Sequence, residues 1–236
     1  MDKDAHFKMF LEEFKANKIL QKYLQKKGLE FVKLLGEGRS AWILVVKQTK
    51  DLKKDKEHQN KSIRMNFDTL SKTLAPIGFL TIKLEKKRST RSEMVEKETK
   101  YMKLANKVKI GPKFVDSDVK GRFIVYEYFD AISLINYLDK FDKKEFVGFL
   151  KSLFAQGKKL DEIGLDHGQL VGKGTNIMVL KNGKPIIVDF EKASNKRRAH
   201  NVNVLISYFF NEKSPIHPVV KKILGKELEK IQSEWL

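Results

Sequence analysis

At 236 residues, 41% of them hydrophobic, the chain can bury one or two compact cores, and this composition excludes a disordered or fibrous chain. Its 48 Lys and Arg against 30 Asp and Glu leave a formal charge of +18, a field that favours phosphate-bearing partners. With no cysteine there is no disulfide framework, thiolate chemistry or Cys-ligated zinc, and no apolar run nears the roughly 18 residues that span a bilayer. The expectation is a cytoplasmic protein without a membrane partner.

Phe7, Phe10, Leu11 and Phe14 recur at i, i+3, i+4, i+7, and Ile19, Leu20, Tyr23 and Leu24 continue the stripe until Gly28. This predicts an amphipathic N-terminal extension over 1–28. Leu29 to Leu35 and Ala41 to Lys47 read as two strands around a Gly36-Glu37-Gly38 turn. Residues of about 48–76 are polar and aperiodic, which predicts an insertion. Phe79 to Leu84 reads as a third strand, Ser92 to Lys107 as a helix ended by Gly111-Pro112, and Lys113 to Asp116 with Arg122 to Tyr128 as a further strand pair. Beyond Asp130 the pattern turns helical, with helices expected over Ser133 to Asp139, Lys143 to Ile163, about 198–211 and about 216–235. Between them Asn176 to Leu180 and Pro185 to Val188 flank Asn182-Gly183, the signal for a tight hairpin. A strand-rich first half and a helical second half make an α+β chain, divided near Phe129 into domains of 29–129 and 130–236.

Several residues carry candidate chemistry. Gly36 and Gly38 would let backbone N–H groups approach phosphate oxygens, although hairpins often carry two glycines for turn geometry alone. Asp189 stands at the tip of the apolar run Pro185-Ile186-Ile187-Val188, where a carboxylate needs either a cation or a turn to cap. His167 has no second His at ligand spacing, which argues against zinc.

Asp166-His167-Gly168-Gln169 followed by Val188-Asp189-Phe190-Glu191 resembles the paired catalytic and metal-binding loops of the protein-kinase superfamily. Thr81-Ile82-Lys83 resembles its phosphate-neutralising lysine strand, Val125-Tyr126-Glu127-Tyr128-Phe129 its adenine-binding linker, and Asn176 its metal-binding Asn. Glu98-Thr99-Lys100-Tyr101 with Gly111-Pro112 is most similar to the small atypical group of RIO-like and KEOPS-kinase-like proteins and predicted archaeal Ser/Thr kinases. The resemblance implies a two-lobed fold, with a small antiparallel-sheet N-lobe carrying one helix and a reduced helical C-lobe. It implies ATP and Mg²⁺ as cofactors, with an atypical Ser/Thr kinase or ATPase activity. Lys83 would hold phosphate and Glu98 steer it; Glu127 and Tyr128 would meet adenine, and Asp189 and Asn176 would hold metal. Gln169 or Asp166 would contact the acceptor hydroxyl.

Three departures stand against efficient transfer: Gln169 cannot take a proton, Glu191 replaces a glycine, and Asn201 replaces an anchoring Asp; no long activation segment follows Asp189, which fits a minimal form without a peptide-docking platform. The alternative is a catalytically weak pseudokinase that binds RNA or a ribosomal particle through its lysines, a reading that can coexist with a protein substrate.

Overall fold

A computed structural model describes residues 3–49, 78–89, 93–171 and 174–235. The predicted insertion of 48–76 lies outside the described residues except for its first two positions. The chain is a mixed α/β protein with antiparallel sheets, and it divides into two compact units, Met1–Glu96 with Phe114–Tyr128, and Lys97–Lys113 with Phe129–Leu236.

The first unit opens with helices α1 (Lys3–Ala16) and α2 (Lys18–Lys27). The hydrophobic stripe predicts one continuous helix, but Asn17 interrupts it. Its Oδ1 accepts from the Leu20 N–H at 3.0 Å, and its Nδ2 donates to the Gly121 carbonyl at 2.7 Å. A side chain that caps the second helix and ties it to a strand turn stabilises a break more than one further helical bond would. Gly28 then ends α2 in the left-handed region, where glycine carries no Cβ penalty.

Strands β1 (Leu29–Glu37), β2 (Ala41–Gln48), β3 (Phe79–Glu85), β4 (Phe114–Asp118) and β5 (Phe123–Glu127) form one antiparallel sheet in the order β1-β2-β3-β5-β4. Phe10, Phe14, Leu20 and Leu24 pack with Trp42, Leu44, Ile82 and Phe123 in its core. The Phe10 ring meets Trp42 edge-on at 5.7 Å, and Trp42 Nε1 donates to Glu13 at 3.1 Å, so the indole is satisfied in the core. The amphipathic extension thus folds as part of this unit.

Helix α3 (Met94–Lys107) crosses the division at Glu96. In the second unit β6 (Ala131–Ser133), β7 (Ile177–Leu180) and β8 (Pro185–Ile187) make a three-stranded antiparallel sheet. β6 was not predicted: three residues are too few to show a period. After the short α4 (Leu134–Tyr137), α5 (Lys143–Glu162) starts at a capping box of Asp142 and Glu145. It packs on α6 (Asn201–Phe210), where Gly157 lies so close to Leu205 that a Cβ would sit 3.0 Å from Leu205 Cδ1. Phe146, Phe154 and Phe209 join the two helices in the core. The last predicted helix is split at Gly225, φ +57°, into α7 (His217–Leu224) and α8 (Leu228–Ser233). No helix among the described residues is long and apolar enough to cross a membrane.

Candidate active site

In the first unit the antiparallel ladder sets Lys83 in the middle of β3, opposite Ile43 of β2 and Ile124 of β5. A lysine flanked by apolar strands is 8% exposed here, a burial rarely met without a partner. Gly36 pairs with Ile43 at the end of the β1–β2 hairpin, and Gly38 N–H donates to the Ala41 carbonyl at 2.8 Å. Among the described residues a Cβ built on Gly36 meets nothing within 4 Å, so none of them requires a glycine there. Glu127 ends β5 as an exposed residue, and the Tyr128 N–H donates to the Phe79 carbonyl at 3.4 Å.

The second unit gathers the other predicted residues. The loop before β7 is built on His167, a fully buried side chain whose Nε2 lies 3.0 Å from the Val188 carbonyl. A carbonyl only accepts, so the ring carries its proton on Nε2. Its ring sits 5.1 Å from that of Phe190, linking this loop to the one that carries Asp189. Asn176 Nδ2 donates to the Gln169 carbonyl at 2.7 Å, so the seven-residue spacing closes into a loop; residues 172–173 lie outside the described ones. The Asn176 amide nitrogen makes that bond, and its Oδ1 is the atom that would ligate a cation.

Asp189 adopts the left-handed conformation, φ 67° and ψ 68°, a region that Asp enters more readily than most residues. The turn brings one oxygen each of Asp189, Glu98 and Glu191 within 4.8 Å of one another. Glu98 and Glu191 are buried, and a set of hard oxygen donors at this spacing fits a Mg²⁺-like cation. Glu191 was read from the sequence only as a lost glycine. Its signal was a carboxylate two positions past Asp189, which a three-residue 3₁₀ turn, Phe190–Lys192, folds back beside it.

Asp166 is held apart from this cluster of oxygens. Its side chain is 5% exposed and pairs with Arg197 Nη2 at 2.8 Å, and His200 Nδ1 lies 3.7 Å from its other oxygen. Arg197 also donates to the Lys192 carbonyl at 2.8 Å. Neither Arg197 nor His200 was singled out from the sequence.

The reading of Asn201 as a weakened anchor needs correction. Asn201 Oδ1 does accept from the His167 N–H at 3.0 Å, but a full charge stands behind it: Asn201 Nδ2 donates to Asp161 Oδ1 at 2.7 Å. That charge stands in the last turn of α5.

Burial pushes the His167 imidazole below its ordinary pKa, against smaller raising effects of the Val188 carbonyl, Asp189 and Asp166. The folded ring stays neutral while the unfolded ring takes a proton below about pH 6.5, so the unfolded state binds more protons there and stability falls with pH. We expect wild-type unfolding free energy to drop from about pH 6.5 downward, with a slope approaching about 1.4 kcal/mol per pH unit for this one proton. Urea titrations at pH 7.5 and 5.5 should show a flatter profile for His167→Gln; equal slopes would mean that the buried imidazole does not drive the effect.

No protein-family profile matches the chain. It is 29% identical over 86 residues, 36% of its length and 72% of the relative's, to an uncharacterized protein of Methanocaldococcus jannaschii. It is 30% identical over 112 residues to the KEOPS complex subunit Bud32 of Pyrococcus abyssi, 47% of each chain. The match covers about half the length of that subunit.

Proposed function

We propose that the chain is an ATP–Mg²⁺-binding, atypical Ser/Thr kinase-like protein with the two-lobed architecture of that superfamily, working as a slow phosphotransferase or ATPase. The observation that carries this reading is the meeting of Glu98, Asp189 and Glu191 beside the His167 loop, and the distant similarity to Bud32 supports it. In this reading the Gly36–Gly38 hairpin approaches phosphate and Lys83 takes phosphate charge, with Glu98 as its steering carboxylate; Glu127 and Tyr128 border adenine. Asp189 and Asn176 hold the cation, and the closeness of Glu191 to Asp189 adds it to the donor set. A divalent cation bound there would neutralise phosphate charge and orient the transferring group.

Gln169 is exposed and positions the acceptor or a water by hydrogen bonding, without abstracting its proton. Asp166 contacts an acceptor only once Arg197 releases it. General-base assistance contributes roughly 10²–10⁴-fold, so its lack accounts for slow turnover.

Mg²⁺ with ATP at about 100 times its Kd should stabilise the folded chain by about 2.7 kcal/mol, a rise of several degrees in Tm. The shift should vanish when EDTA removes the cation and shrink strongly in Lys83→Ala. A melting curve unmoved by saturating Mg²⁺-ATP would defeat the proposal.

Those same two facts, a carboxamide at 169 and an acid at 166 held by Arg197, favour the second reading of a catalytically weak binding module. Its +18 charge suits RNA or a ribosomal particle, and neutralising about six phosphates would give roughly a thousandfold loss of affinity between low and moderate salt. ATP-dependent stabilisation without turnover, together with that salt dependence, would select it.

A further inference from the structure

We propose that Asp161 is a positioning residue for the candidate acceptor loop, acting through Asn201 to fix the backbone from Leu165 to His167; this rests on the phosphotransfer reading above. Asp161 lies in the last turn of α5, and the residues it bonds through its side chain, Asn201 and Val202, are about 40 residues further along the chain. Its Oδ1 accepts from both the backbone N–H and the Nδ2 of Asn201, each at 2.7 Å, and its Oδ2 accepts from the Val202 N–H at 3.0 Å. These backbone donors are the first two of α6, which has no side-chain cap of its own, so a carboxylate from another helix satisfies groups that would otherwise be orphaned.

Asn201 is 1% exposed, and each of its side-chain atoms has a defined partner. Nδ2 gives one hydrogen to Asp161 and the other to the Leu165 carbonyl at 2.8 Å, while Oδ1 accepts the His167 N–H at 3.0 Å. Only a carboxamide can do this, because the loop presents one acceptor and one donor to the same side chain. The amide orientation is forced: turned over, its oxygen would face the Asp161 carboxylate and its NH₂ the His167 N–H. A carboxylate at 201 would lose the bond to Leu165 and stand 2.7 Å from Asp161. The two positions therefore form one unit, an acid at 161 and an amide at 201, and the unit continues through His167 to the Val188 carbonyl next to Asp189. Asp161 thus sets where the residues after His167 stand without touching any reacting atom.

The test is the set Asp161→Asn, Asn201→Asp and the double exchange, compared well below the Tm of each. Amide hydrogen exchange at His167 reads loop fixation without needing activity, and the kcat and KM of Mg²⁺-ATP turnover read the chemistry. Asp161→Asn and Asn201→Asp should each lose His167 protection and about tenfold or more of kcat, with KM for ATP held within about twofold. The double exchange, which places the acid at 201 and the amide at 161, should regain part of both losses. A residue that merely stabilised the fold would lower Tm and leave kcat intact below it.

Full kcat and an unchanged His167 amide in folded Asp161→Asn would overturn the proposal. If the wild type turns over no ATP, the phosphotransfer reading fails by itself. The exchange data then decide alone: lost protection in Asp161→Asn upholds the positioning role, and retained protection ends it.

Discussion

Asp189→Ala is expected to reduce Mg²⁺-dependent ATP turnover on the order of 10³-fold, the ratio that about 4 kcal/mol of lost transition-state stabilisation produces. The expectation follows from charge placement. Asp189 stands where β8 ends, in a left-handed turn that faces its carboxylate to those of Glu98 and Glu191. One oxygen each of the three acids lies within 4.8 Å of the others, a set of hard donors that a divalent cation would join. Asp189→Asn keeps the shape, removes one charge, and should lose the stabilisation that Mg²⁺-ATP brings. Turnover by Asp189→Ala at the wild-type rate, or a Tm rise with Mg²⁺-ATP as large as wild type's, would remove Asp189 from the mechanism.

The sequence was informative where a signal is local. Short runs rich in apolar and β-branched residues located β2, β3 and β5, and Asn182-Gly183 located the β7–β8 hairpin, because strand composition and turn chemistry act within a few residues. The break at Asn17 was not legible: Asn serves equally well within a polar helix face, and its Gly121 partner lies 104 residues away. The same limit governs the site. Asp189, Asn176 and the 166–169 loop stood out by their order along the chain, whereas the charge behind Asn201 came from Asp161, 40 residues upstream in an ordinary polar position of α5. Nothing local distinguished Arg197 from the neighbouring Lys196 and Arg198 as the partner of Asp166. Read singly, the Asn201 position therefore hid the carboxylate that stands behind it.

Gly168→Ala should destabilise the protein by about 3 kcal/mol or more and disable the candidate site, although it adds one methyl group. Gly168 has φ +75°, where an L-residue with a Cβ costs about 1–2 kcal/mol. The added Cβ would also overlap the Lys192 carbonyl oxygen and Arg197 Nη2, and overpacking of this kind costs typically 1–3 kcal/mol. At 236 residues such a loss lowers Tm by about 10 °C. The two obstacles differ in kind. Arg197 is a long, exposed side chain that can swing aside, but Lys192 O belongs to the backbone of the turn that follows Asp189. Gly168→Ala with Arg197→Ala should therefore regain little, since the carbonyl clash and the left-handed strain remain and Asp166 has lost its cation as well. Relief would require the 166–169 loop to move away from residues 190–192, pulling His167 off the Val188 carbonyl and opening the turn that sets Asp189 beside Glu98 and Glu191. Calorimetry of the single and double variants, with the Mg²⁺-ATP shift measured on each, checks this. A Gly168→Ala protein that melts within about 2 °C of wild type would show that the loop and the Asp189 turn are not held in register by this contact.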